Sequence, residues 1–226
     1  MEAGFSGVLP YGERAGLGLS VEFLYGVVLN TQIGMDLDVA AWCRAGSSER
    51  DLKVDEVSLN LLHNFNREYG RIPAFSIRGD VTLPTQENDR GVEVRVRGIL
   101  SKALIQYDRL HLNLDGVMVS APEHGERRFR PGVIFGYTQP LGYPKRFTQT
   151  GLAQLSIQTP ARKGTGPVVS LWVGLRQQIT VRSVVDVGVQ SEVSSHGAAR
   201  EEIRIVAGYS VGFYTFQLDA SRRAPT

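Results

Sequence analysis

Cysteine is nearly missing: Cys43 is the only one in 226 residues. It can close no internal disulfide and build no cysteine-based metal site. No apolar run approaches the ~20 residues that a membrane helix needs. That excludes a helical membrane protein but leaves a barrel open, because barrel strands need only ~9–11 residues of alternating polarity. An excess of one charge is lacking too, with 25 Lys and Arg against 23 Asp and Glu. No basic block stands out, which argues against a nucleic-acid partner. Few windows carry the 3.6-residue period of a helix. The stretch from Met1 to Pro10 has neither the basic nor the apolar part of a signal peptide. An exported protein is expected to have one, so an envelope reading takes the chain as a mature or trimmed form.

What is present in quantity is strict alternation. Val92 to Arg97 reads V-E-V-R-V-R, which lays one face of a strand against apolar surroundings and the other against water. Eleven segments of this kind follow one another: 14–26, 31–42, 54–66, 73–83, 91–104, 108–121, 128–139, 146–158, 168–179, 183–193 and 202–213. In the first, Leu17, Leu19, Val21, Phe23 and Tyr25 share a face; in the ninth, Val169, Leu171, Val173 and Leu175 stand against Ser170, Trp172, Arg176 and Gln178. Most are longer than the ~5–6 residues usual in globular proteins, and tilted by ~40° they suit a bilayer.

The links between the segments alternate in length. Residues 28–30, 105–107, 141–145 and 180–182 are short links; 44–53, 85–90, 122–127, 159–166 and 194–201 are longer and polar, and 67–72 is intermediate. Outer-membrane barrels have short periplasmic turns and longer outer loops. The pattern therefore predicts an all-β, antiparallel, up-and-down transmembrane β-barrel filling residues 1–226 as one domain. A single-chain bacterial barrel has an even strand number. Eleven segments predict a twelfth strand, either improvised from residues 2 to 10 or lost with a trimmed amino terminus. Residues 1–13 are thus a partial strand or loop, and 214–226 a tail.

Four stretches stand out beyond their alternation: E-F-L-Y-G-V-V-L-N-T-Q-I-G (Glu22 to Gly34), P-A-F-S-I-R-G-D-V-T-L-P-T (Pro73 to Thr85), L-S-K-A-L with L-H-L-N-L-D-G (Leu100 to Leu104, Leu110 to Gly116) and G-V-I-F-G-Y-T-Q-P-L (Gly132 to Leu141). They resemble the bacterial outer-membrane family of MetA-pathway-of-phenol-degradation, or transporter-like, proteins. The resemblance implies an outer-membrane location and a link to uptake of small aromatic or other hydrophobic solutes. It supplies no catalytic motif. The family begins with a signal peptide and one further strand, neither of which stands out in the alternating pattern here.

Alternation predicts a lumen lined by Glu22, Asp36, Asp38, Arg78, Asp80, Glu93, Arg95, Arg97, His111, Asp115, Trp172, Arg176, Asp186 and Arg204. Such charges can set what a pore admits. They can also simply pair across neighbouring strands and fill a narrow interior, and their mixed signs favour filling. His63 and His111 are the candidates for a general base in an outer-membrane lipid hydrolase, but no G-x-S-x-G or H-E-x-x-H spacing occurs. His124 and His196 read as loop residues, and the histidines lack metal-ligand spacing. No cofactor is expected. Basic loop residues such as those of 123–128 and 160–166 could meet lipopolysaccharide phosphates or remain solvated. Tyr25, Phe65, Tyr107, Tyr143 and Phe213 are placed as an interfacial aromatic girdle. A soluble ligand-binding barrel is the alternative, and it requires the apolar faces to turn inward.

Overall fold

The alternation is realised in twelve antiparallel strands that close into a barrel, in a computed structural model that describes residues 2–9, 14–44, 50–84, 91–105, 107–142, 148–194 and 202–213. The strands are β1 (Glu2–Leu9), β2 (Arg14–Val28), β3 (Thr31–Arg44), β4 (Arg50–Asn66), β5 (Ala74–Leu83), β6 (Glu93–Ala103), β7 (Arg109–Val119), β8 (Phe129–Leu141), β9 (Gln149–Gln158), β10 (Val168–Thr180), β11 (Ser183–Ser194) and β12 (Glu202–Val211). Each pairs with its sequence neighbours, and β1 closes the sheet by pairing with β12 from Glu2 opposite Ser210 to Leu9 opposite Ile203. The eleven alternating segments are thus joined by the expected twelfth strand within this chain. The twelfth strand is the one improvised from the first residues. Its G-F-S-G-V core lacks a long alternating run, which is why it is weak in the sequence.

Two-residue turns join β2 to β3 at Leu29–Asn30 and β10 to β11 at Val181–Arg182. Asn30 takes a left-handed backbone, φ 63°, a conformation its short polar side chain tolerates. Both short turns, and the bend at Tyr107, lie at one end of the barrel. The amino end of β1 and the carboxyl end of β12 lie at that same end, since twelve up-and-down strands return the chain to its starting side.

The faces are inverted relative to a soluble protein. Phe23, Met35, Leu59, Leu61, Leu114, Phe135, Leu171 and Val173 are exposed, whereas Ser58, Asn60, Asp80, Ser156 and Ser183 are buried. Among the described residues only Val117, Val119 and Ile134 form a buried apolar group. The alternative of a soluble barrel required the reverse.

Two irregularities keep β4 in phase. Glu56 pairs with Asp38 but Val54 pairs with Val39, so residue 55 is an extra residue. That bulge returns Val54 to the outer face, where it is half exposed. A second irregularity at Phe65, between Asn64 and Asn66, lets its ring stack on Phe75 at 5.2 Å between centroids. Tyr25, Phe65, Tyr107 and Phe213 are all exposed near the short-turn end, as an interfacial girdle requires; Tyr143 lies outside the described residues.

Candidate functional site: a charged barrel interior

Twelve strands spaced ~4.8 Å apart and tilted by ~40° give a backbone cylinder about 24 Å across. Long side chains from facing walls consume much of that width. Arg78 on β5 reaches Glu22 on β2, three strands away, at 3.2 Å. The same guanidinium meets Asp36 on β3 at 3.2 Å and Asp80 on its own strand at 2.7 Å. A contact that skips β3 and β4 must pass through the interior, so the polar faces do point inward.

Around this cluster lies a cavity of about 300 Å³ lined by Ser20, Glu22, Asp36, Asp38, Glu56, Ser58, Arg78, Asp80, Thr82 and Arg95. Asn60 donates to Asp36 at 3.0 Å and to Glu22 at 3.5 Å. Its amide lies over Gly34, where an added Cβ would stand 2.5 Å from Asn60 Oδ1. Glu56 accepts from the hydroxyls of Thr82 at 2.8 Å and Ser58 at 3.2 Å.

The lining changes sign at β6. Asp80 on β5 stands directly opposite Arg95 on β6. Arg95 lies 3.6 Å from Glu93, which also takes an ion pair from Arg130 on β8. Arg97 and Asp115 form a two-bond pair at 2.7 and 2.8 Å. A smaller niche of about 70 Å³ is lined in part by Arg95, Asp115, Arg130 and Gln158. The Nε atoms of Arg95 and Arg130 are buried and have no hydrogen-bond partner among the described residues.

On the opposite wall, Arg176 and Asp186 pair at 2.7 and 2.9 Å. Above them the Trp172 indole lies against Gly174 and Gly188, which pair with each other. An added Cβ at either glycine would come within 2.6–2.8 Å of the ring. Gln154 and Gln190 stand in register on either side of Trp172. Arg204 faces Gln190 across β11 and β12.

The predicted lining residues thus fall into local groups rather than one ring. Glu22, Asp36, Arg78 and Asp80 come together, with Asp38 on the same cavity. Two contributors were not singled out in the sequence, Glu56 and Arg130. Glu56 continues the inward series Ser58, Asn60 and was legible by extending it one step, up to the bulge. Arg130 is followed at the next inward positions by Gly132 and Ile134, so no polar face announces it.

The histidines separate. His111 faces inward and its Nδ1 lies 2.8 Å from Ser101 Oγ; no carboxylate bonds its ring among the described residues. His63 is on the outer face, 2.9 Å from Thr31 Oγ1 and edge-on to Phe65 at 4.8 Å. His124 is an exposed loop residue, and His196 lies outside the described residues. No group of three or more metal-ligating side chains occurs among the described residues.

No protein-family model matches the chain, and no curated protein matches it in sequence. Solved structures do match in fold. The COG4313 outer membrane channel from Pseudomonas putida F1 has a TM-score of 0.68 at 12% identity, over 94% of this chain and 95% of that one. The NanC porin scores 0.62 at 8% identity, over 93% and 100%. LpxR from Salmonella typhimurium scores 0.56 at 8% identity, over 94% and 100%. Identities this low speak to fold. The chain is a transmembrane β-barrel of the bacterial outer-membrane type. The narrower resemblance to MetA-pathway-of-phenol-degradation proteins does not recur among these matches.

Proposed function

We propose that this chain is an integral protein of the bacterial outer membrane that acts as a passive channel for small hydrophilic solutes. The observation that carries the reading is the inversion of its faces: an apolar belt outside, and an interior of ion pairs, hydroxyls and amides around open volume. The outer belt meets lipid. Lipopolysaccharide would contact the outer loops, where Arg128, Arg162 and Lys163 are exposed. Inside, solutes pass without a cofactor, screened by width and by charge. A polar lining favours water-soluble solutes over the hydrophobic ones that the family resemblance implies.

The test is refolding in detergent, followed by a gel of boiled and unboiled samples and conductance in planar bilayers. A mobility shift on boiling together with stepwise conductance supports the channel. A folded, heat-modifiable barrel that conducts nothing and passes no solute overturns it.

The Ser101–His111 contact supports a weaker reading as a hydrolase. It uses Nδ1 on the serine side, has no carboxylate behind the ring, and faces the lumen rather than lipid. Loss of ester hydrolysis in His111→Ala would favour that reading; a protein without any such activity removes it.

A further inference from the structure

The interior carries two neighbouring surfaces of opposite sign, each with unfilled bonding capacity. On one side, Asp36 and Asp80 share the single guanidinium of Arg78. Beside them, Glu56 is held by two hydroxyls and by no cation among the described residues. On the other side, Arg95 and Arg130 share the single carboxylate of Glu93. Their Nε donors point nowhere useful, being buried and without acceptors among the described residues. A buried donor left unpaired is costly, so in native proteins it usually marks the place of a water, an ion or a ligand.

Arg95 belongs to both surfaces, since it lines the 300 Å³ cavity and the 70 Å³ niche. Asp80 faces it directly across β5 and β6, where side chains stand ~4.5–5.5 Å apart. The lining therefore reverses sign within one strand spacing. That distance is shorter than the ~8 Å Debye length at physiological salt, so the reversal survives screening.

Resting on the channel reading above, we propose that this boundary selects small zwitterions bearing a primary ammonium and a carboxylate, of amino-acid to dipeptide size. The carboxylate meets the guanidiniums of Arg95 and Arg130 where they line the niche. The ammonium takes Glu56 and Asp80. An anion alone would meet the acidic wall, and a cation alone the arginines. Only a solute carrying both charges gains on both sides.

The test compares four solutes of similar size released from proteoliposomes with the membrane potential clamped at zero: glycylglycine, neutral N-acetylglycinamide, anionic N-acetylglycinate and cationic glycylglycinamide. Glycylglycine is expected to leave about threefold faster than the neutral amide or more. In Arg95→Gln and in Glu56→Gln that ratio should fall to about one, as it should in 1 M salt, where the Debye length is ~3 Å. Heat-modifiability on a gel shows that each variant has folded. Equal rates for all four solutes, or a ranking by one sign of charge, overturn the zwitterion proposal and leave the channel standing. No release of any solute overturns both.

Discussion

Arg97 and Asp115 face each other across β6 and β7 and are joined by two parallel hydrogen bonds of 2.7 and 2.8 Å. Arg176 and Asp186 repeat the arrangement across β10 and β11. The geometry is the same, but the setting differs. The side chains of the first pair are 24% and 6% exposed, and those of the second 48% and 18%. Removing one partner of a sheltered pair strands the other, whereas a wetted pair relaxes into solvent. Asp115→Ala is therefore expected to lower stability by about 1–3 kcal/mol and Asp186→Ala by less than about 1 kcal/mol. Denaturant unfolding in vesicles, followed by tryptophan fluorescence, ranks the two. The reverse order would show that exposure does not govern these pairs.

Two glycines leave room for interior side chains. Gly188→Ala places a Cβ 2.7 Å from the Trp172 ring, and the glycine floor cannot yield because Gly174 lies beneath the same indole. The ring should swing into the lumen, with an emission shift in a Trp42→Phe background and a smaller conductance. Gly79→Ala meets nothing within 4 Å and serves as the neutral comparison. Identical spectra for both variants would place the indole elsewhere.

Much of this interior was legible in the alternation, and where it was not the reason is local. Period two puts Glu22, Asp36, Asp38, Arg78 and Asp80 on one face, because a strand face is decided by neighbours two residues away, and in the structure all five line one cavity. It could not say that Arg78 bridges to Glu22, since a contact that skips two strands depends on closure and tilt. The first strand escaped as a regular element because Gly4, Ser6 and Gly7 dilute its pattern. Val117, opposite Arg95 and Arg130, and Val119, opposite Glu93, are apolar residues on the inner face. Their two-residue spacing from Asp115 marks that face, although their apolar character alone would not.

At the short-turn end, Glu68 latches the link between β4 and β5 onto the β6–β7 hairpin. It accepts from Lys102 Nζ at 2.8 Å, from the Ala103 amide at 3.0 Å and from Arg109 at 3.2 Å. The Lys102 hydrogen bond, then the Ala103 amide, hold its carboxyl below the usual glutamate range. A carboxyl with a depressed folded pKa contributes stability above its unfolded pKa and loses it as pH falls through the folded value. The latch is thus intact at neutral pH and should open in acid, as pH falls below the usual glutamate range. Protection of the Ala103 amide against hydrogen exchange should drop over that acidic range in the wild type. In Glu68→Gln the drop should vanish, leaving low protection at every pH. A pH-independent wild-type profile would mean that the carboxylate does not hold the hairpin.

The inversion of faces makes the strongest prediction about the solvent. Val173, midway along β10, is half exposed, and Leu171 and Leu175 flank it on the same outer face. Thr82 on β5 faces the cavity instead. In water an exposed valine is replaced by arginine at a cost of a few tenths of a kcal/mol. At a bilayer midplane the same change costs about 2–4 kcal/mol, because the guanidinium must leave water or drag it in. Val173→Arg is therefore expected to depress folding into lipid vesicles by that amount, while Thr82→Lys, placed in a wetted interior, folds nearly as well as the wild type. Unfolding midpoints in urea, measured in vesicles of one lipid composition, compare them directly. Equal midpoints would mean that Val173 does not see hydrocarbon, and the apolar belt would then need another partner than lipid.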